Sequence, residues 1–367
     1  MLLRTLLQIS LFKPSADVPG VVRQRLQSAT DGQWQEAIAV LTHHRLMPLV
    51  FYGVKVHNLT DDIPKPILSQ LMLNYLQSLQ HNIRLFKTLA VVLERLAVVD
   101  VYPVLWKGIV LADHLYPDVA TRMIGDIDWA VTPHEFDIAS PILAELSFAL
   151  QPAMATSDAA YFMNADRVLL DVHHRVRLFE GQEPLSLTQY LFSSKGLLPL
   201  CRVLEPNAML AHLTVHLGGH APDMGLPLCW ILDFVFLLRR WGDQIAMQRL
   251  KELIPDRKSW RLLGRILRFL QVEFGEPLPA ELAEFAQQYK PFTLEGITRQ
   301  NQLVMWGLHR PQGWVKMAAS LVGVRSNPKF EYPEVSYLLQ WAAADLWMGD
   351  RLSSRTECPR QTTAGFW

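Results

Sequence analysis

The chain has 367 residues, half of them hydrophobic and 19% charged, with 35 basic residues against 35 acidic ones. That length and balance suit a globular protein of two or three units, and the zero net charge argues against a protein built mainly to grip a long polynucleotide. The chain has no apolar run of 18 residues, no leader pattern in its first residues and only Cys201, Cys229 and Cys358 as thiols, so a membrane span, export and a disulfide or zinc framework are not expected and the compartment expected is the cytoplasm.

Residues 1 to about 98 read as helical. Apolar positions at three-to-four spacing from Ile67 to Val98, after Pro64 and Pro66, predict one long helix feeding the first core strand. Val101 to Trp106 reads as a short buried strand. Lys107 and Gly108 then open a helix that runs to Tyr116, where Pro117 closes it. A glycine turn at a helix start presents backbone N–H groups to a phosphate, and Lys107 adds a cation at the same point. The run from Gly125 to Val131 carries Asp126 and Asp128. On a strand, residues two apart share a face, so these carboxylates are expected to point the same way. They repel unless something positive lies between them, and Mg²⁺ completed by nucleotide phosphates is the usual solution.

Thr132 and Pro133 start a crossover helix expected over His134 to Leu150. Arg167 to His174 is a further apolar strand, on which Asp171 and His173 share one face while Leu170, Val172 and His174 share the other. Three carboxylates on adjacent strands beside a glycine turn read as a two-metal phosphoryl-transfer site. In that setting His173 orients Asp171, contacts the triphosphate or the acceptor, or is an ordinary hydrogen-bonded strand histidine. Arg122 either neutralises phosphate charge or braces the acids.

Connector-like stretches occupy 181–184 and 196–199. Helical patterns return from Pro206, with Gly218 and Gly219 expected to end the first helix, and continue past Pro279 through Trp306 and Trp314 to Trp347. His212, His216 and His220 fall at i, i+4 and i+8; metal binding, a pocket-lining role and polar packing are all open to them. Arg257, Arg261, Arg265 and Arg268 share a helix face, either solvated or turned to an anionic acceptor. Asp233, a lone acid in an apolar helix, reads as a cap or a buried pairing partner. The expected division is a helical region over 1–98, a core over 99–180, a helical region over 181–352 and a fraying tail over 353–367.

The ordered set Trp106-Lys107-Gly108, Tyr116-Pro117, Arg122, Asp126-Ile127-Asp128 and Asp171-Val172-His173 resembles the uncharacterised bacterial nucleotidyltransferases of the polymerase-β type. The likeness extends over about residues 1 to 300, taking in Trp34, Thr42 to Arg45, Pro48-Leu49 and His212 to Leu238. It implies an α/β (α+β) fold: a nucleotidyltransferase core with a small mixed sheet, flanked by helical N- and C-terminal regions. It further implies Asp126, Asp128 and Asp171 as catalytic metal ligands for two Mg²⁺ or Mn²⁺ ions, with Lys107, Gly108, Arg122 and His173 on the nucleotide. The donor would be a nucleoside triphosphate such as ATP, and the acceptor a small molecule, glycan or peptide rather than a long nucleic acid, with pyrophosphate released. The wider superfamily carries Gly-Ser where this chain has Lys107-Gly108, which leaves the nucleotide's orientation open. The alternative is a nucleotide-binding regulatory or triphosphate-hydrolysing protein on the same scaffold.

Overall fold

The structure, a computed structural model, describes residues 1–12, 18–152, 154–174, 191–193, 198, 200–224, 226–254 and 256–299. The 181–184 connector, most of 196–199, Trp306, Trp314, Trp347 and the 353–367 tail lie outside the described residues. The architecture below concerns the compact unit formed by Met1–Gly219 and Leu226–Arg299.

Five helices come first: α1 (Leu2–Leu11), α2 (Gly20–Gln27), α3 (Asp31–His43), α4 (Met47–Val56) and α5 (Lys65–Ala97). Thr30 and Gln33 form a capping box that starts α3, each side chain satisfying the other's free backbone N–H. Pro64 caps α5, and its buried stripe of Leu85, Phe86, Leu89, Val92, Leu93 and Leu96 explains why so long a helix persists without internal breakers. The helix expected over 67–98 is thus present, two residues longer at its start. No single helix among the described residues is long and apolar enough to cross a membrane; α3 and α4 meet that composition only as a pair, bent by 119°.

A mixed sheet follows, built from β1 (Val104–Leu105), β2 (Ile127–Ala130), β3 (Ala149–Leu150), β4 (Ala159–Met163), β5 (Leu169–His173), β6 (Leu191–Ser193) and β7 (Arg202–Leu204), in the order β3-β4-β5-β2-β1-β7-β6. The β2–β5 and β1–β7 pairs are parallel and the others antiparallel. Helix α6 (Gly108–His114) joins β1 to the segment before β2, and α7 (Pro133–Glu145) follows β2. Five helices close the described chain: α8 (Pro206–Met224), α9 (Leu228–Trp241), α10 (Met247–Leu253), α11 (Arg257–Phe274) and α12 (Ala280–Gln287). The fold is a mixed α+β one, a small mixed sheet flanked by helical regions on both sides in sequence.

Three elements depart from the sequence reading. The crossover helix stops at Glu145 rather than Leu150, because Ser147 turns left-handed (φ 64°) and Phe148 N–H bonds back to Leu143 O at 2.9 Å. The chain then enters β3, and the hairpin β3–β4, absent from the sequence reading, delivers it to β5. The helix carrying His212 continues through Gly218 and Gly219 instead of ending there. A Cβ on Gly218 would meet Leu262 Cδ2 at 3.3 Å, so the glycine accommodates the close approach of α11.

The loop leading into β2 is held from two sides. On α5, Ser78 Oγ donates to Ala120 O (2.7 Å) and Asn82 Nδ2 to Val119 O (2.6 Å) and Arg122 O (2.8 Å), while His81 Nε2 lies 3.0 Å from Ile124 O. Residues 78, 81 and 82 fall on one helix face, so a single helix satisfies a run of loop carbonyls. From α9, Asp233 takes Arg122 in a two-pronged pair, Nε to Oδ1 at 2.7 Å and Nη2 to Oδ2 at 2.9 Å, and accepts the Tyr116 hydroxyl at 2.7 Å. Burial works against the Arg122 charge; Asp233 outweighs it and holds the guanidinium above its ordinary value. Asp233→Ala should therefore cost about 3–5 kcal/mol in urea unfolding, because it strands a buried cation, and Arg122→Met in the same chain should recover most of that loss. A loss below about 1 kcal/mol would show that the pair is not what holds this loop.

Candidate active site

The parallel β2–β5 pairing sets Asp128 opposite Asp171, within the register Ile127↔Leu170, Asp128↔Asp171, Trp129↔Val172 and Ala130↔His173. The apolar partners Ile127, Trp129, Leu170 and Val172 are fully buried, so this register is fixed by the core, and the two acids are carried into a nearly solvent-free position with it. Asp128 is 4% exposed and Asp171 6%. His173 follows on β5, its Nε2 3.2 Å from Asp171 Oδ2 but not aligned for a hydrogen bond. Asp128, Asp171 and His173 each offer a ligand atom within 4.8 Å of the others. Both Asp171 Oδ1 and His173 Nε2 are buried without a hydrogen-bond partner. Unsatisfied acceptors cost free energy in a fold, and a cation would satisfy both at once, so these residues fit a metal ion.

Asp126 stands one residue before β2, half-buried, and outside that set of three. Its charge is still felt. Burial, then Asp126 and Asp171, push the Asp128 carboxyl up, Lys107 opposes them, and the balance lies at about 6. The counter-charge comes from the antiparallel β1–β2 pair, which continues past Leu105↔Trp129 to a bond from Trp106 N–H to Asp128 O (3.3 Å). This brings Lys107 over Asp128, and its Nζ donates to Oδ1 at 2.5 Å. The backbone there is unusual. Lys107, not Gly108, carries the positive φ (55°, ψ −136°) at the start of α6, a conformation that costs a non-glycine residue of order 1–3 kcal/mol. A Cβ on Gly108 would meet only ordinary contacts, so the turn's special residue is the lysine that neutralises the acid.

The remaining predicted residues divide. Arg122 is 8% exposed, and its Nε, Nη1 and Nη2 are spent on Asp233 and the Met123 carbonyl, so the bracing role weighed for it is the one its geometry fits. Asp233 is the buried pairing partner that the sequence suggested. His212 and His216 stack (5.9 Å, 13°) in a ladder with Trp106 and Trp230 on either end. Trp106 also lies 5.2 Å from His173. Burial, with Lys107 and His173 adding to it, keeps His212 well below its ordinary value, hence neutral, and its Nε2 is buried without a partner. The α11 arginines are partly paired: Arg265 bonds Lys290 O and sits 4.0 Å over the Phe292 ring, and Arg268 reaches Gln271.

Sequence reading missed Tyr161. It lies opposite Asp171 in the β4–β5 register, and burial, then the charge of Asp171 and a hydrogen bond to it, push its phenol up to about 12. The segment Ala159–Met163 lacks the polar–apolar alternation that marks a strand with one wet face, so nothing local pointed to it.

Residues 30–275 match the family described as uncharacterised nucleotidyltransferase. The match spans more than half of the chain and takes in the Lys107 turn, all three acids, His173 and Asp233; the chain belongs to this family, within the polymerase-β-like superfamily. Neither a curated protein nor a solved structure matches the chain.

A carboxyl raised to about 6 competes for its proton with any cation it ligates. Above that value Asp128 is ionised and ready to bind; below it the proton must first leave. Mn²⁺ affinity, followed by calorimetry, should therefore fall by about tenfold between pH 7.5 and pH 5 through this group alone. Equal affinity at both would remove Asp128 from the ligand set.

Proposed function

We propose, from this family membership and the paired acids, that the protein moves a nucleoside monophosphate from a nucleoside triphosphate to an acceptor, releasing pyrophosphate. The observation that carries this reading is the Asp128–Asp171 register pair with buried, unsatisfied ligand atoms at Asp171 and His173. Asp128, Asp171 and His173 would hold one divalent ion, Mg²⁺ or Mn²⁺, and Asp126 would contribute to a second. Such ions neutralise the triphosphate and make the acceptor oxygen easier to deprotonate.

The chain's own groups do the rest. Asp171 would complete the acceptor-side metal site and assist removal of the acceptor's proton. The acceptor oxygen then bonds to the α-phosphorus as the bond from that phosphorus to the pyrophosphate oxygen breaks. Lys107 neutralises Asp128, and with an ion held by that carboxylate its ammonium would be free to turn to a phosphate. Tyr161 orients Asp171 from the neighbouring strand. Arg122 acts at a distance, fixing through Asp233 the loop from which Asp126 and Asp128 emerge. The neutral overall charge favours a small molecule, glycan or peptide as acceptor.

Incubating the full chain with each α-labelled nucleoside triphosphate, Mg²⁺ or Mn²⁺ and cell extract, then identifying products by mass spectrometry, tests the reading. Labelled acceptor with equimolar pyrophosphate is the expected result, reduced at least about a hundredfold in Asp128→Asn at an unchanged melting temperature. Undiminished transfer by that variant would contradict it, and inorganic phosphate as the sole product would point to hydrolysis instead.

A further inference from the structure

The two cations expected at the nucleotide from sequence are both committed elsewhere, Lys107 to Asp128 and Arg122 to Asp233. A third stands beside the same acids. Arg45 is exposed, and its guanidinium has no hydrogen bond or ion pair among the described residues. Its Nη1 lies over Gly125, the residue immediately before Asp126: a Cβ added to Gly125 would stand 3.7 Å from that nitrogen. An uncommitted guanidinium and an uncommitted carboxylate thus flank one exposed glycine.

The backbone holds Arg45 there deliberately. It occupies the left-handed residue just past α3 (φ 57°), where Leu46 N–H bonds back to Leu41 O at 2.8 Å and Arg45 N–H to Thr42 O at 3.1 Å. That position favours glycine, which adopts positive φ without penalty. The preceding residue anchors the turn: His44 is buried, and its Nδ1 accepts the Leu228 N–H at the start of α9 (3.1 Å). A non-glycine residue in a left-handed position, fixed by its neighbour and with a charged head uncommitted among the described residues beside Gly125, has the marks of a functional position.

We infer that Arg45 binds the phosphate chain of the donor nucleotide, beside Gly125 and Asp126. This rests on the nucleotidyl-transfer reading and adds a residue to it. The guanidinium fork matches two phosphate oxygens at once, and its full charge balances the charge that the leaving pyrophosphate gains as its bond to the α-phosphorus breaks. A side chain at Gly125 would stand in contact with Arg45, its Cβ 3.7 Å from Nη1.

The test uses the full chain with Mg²⁺ and, in separate titrations, inorganic tripolyphosphate, the four ribonucleoside triphosphates and the matching monophosphates. Arg45→Gly suits the turn and should melt at or above the wild-type temperature. It should weaken triphosphate and tripolyphosphate binding by about ten- to a hundredfold and leave monophosphate binding unchanged, with Arg45→Lys in between. Wild-type triphosphate affinity in Arg45→Gly would overturn the assignment while leaving the transfer reading intact, provided Asp128→Asn still abolishes binding. A wild-type chain that binds no Mg²⁺-triphosphate at all would take both down together. Loss of labelled-acceptor formation without loss of triphosphate affinity would place Arg45 on the acceptor and also overturn the assignment.

Discussion

Two carboxylates held side by side in a buried position are the constraint on which the rest of this structure turns. The parallel β2–β5 register places Asp128 against Asp171, and the same register buries Ile127, Trp129, Leu170 and Val172. Sliding the strands to separate the acids would therefore turn the core residues outward. The fold cannot relieve the repulsion by moving, so Lys107 offsets it and the Asp128 carboxyl stays raised. The raised Asp128 carboxyl and the strained Lys107 backbone are two faces of that one problem. A site that carries such cost in the absence of a ligand is poised to bind a cation.

Precision then comes from outside the sheet. The loop before β2 has little regular structure of its own, and it carries Arg122, Gly125 and Asp126. Helix α5 ties its carbonyls through Ser78, His81 and Asn82, and α9 ties its arginine through Asp233. The helical regions on either side of the sheet are thus part of the site's positioning, which accounts for a family match that runs from α3 to α11 rather than covering the strands alone.

The strand positions of Asp128 and Asp171 were legible because two short-range rules sufficed: apolar runs bounded the strands, and period two set the faces. α5 was legible for a similar reason, since its stripe is long and its proline start is explicit. What escaped depended on distant partners. Whether Asp126 belongs to β2 is decided by where pairing with Leu170 begins, which the sequence does not encode locally. The two roles open to Arg122, phosphate ligand and brace, could not be told apart locally because its partner lies 111 residues away. Gly218 and Gly219 read as a helix stop, yet at Gly218 the missing side chain makes room for Leu262 instead. The helix start at Lys107 and Gly108 was legible, but that Lys107 rather than Gly108 carries the positive φ was not.

The central claim is that Asp128 and Asp171 together hold the metal that carries the nucleotide. Anomalous diffraction from a crystal grown with Mn²⁺ and a non-hydrolysable nucleoside triphosphate tests it most directly. The account predicts a Mn²⁺ peak roughly 2.0–2.3 Å from oxygens of both carboxylates, bridged to the triphosphate, with Lys107 drawn off Asp128. A bound nucleotide whose metal touches neither acid would contradict it.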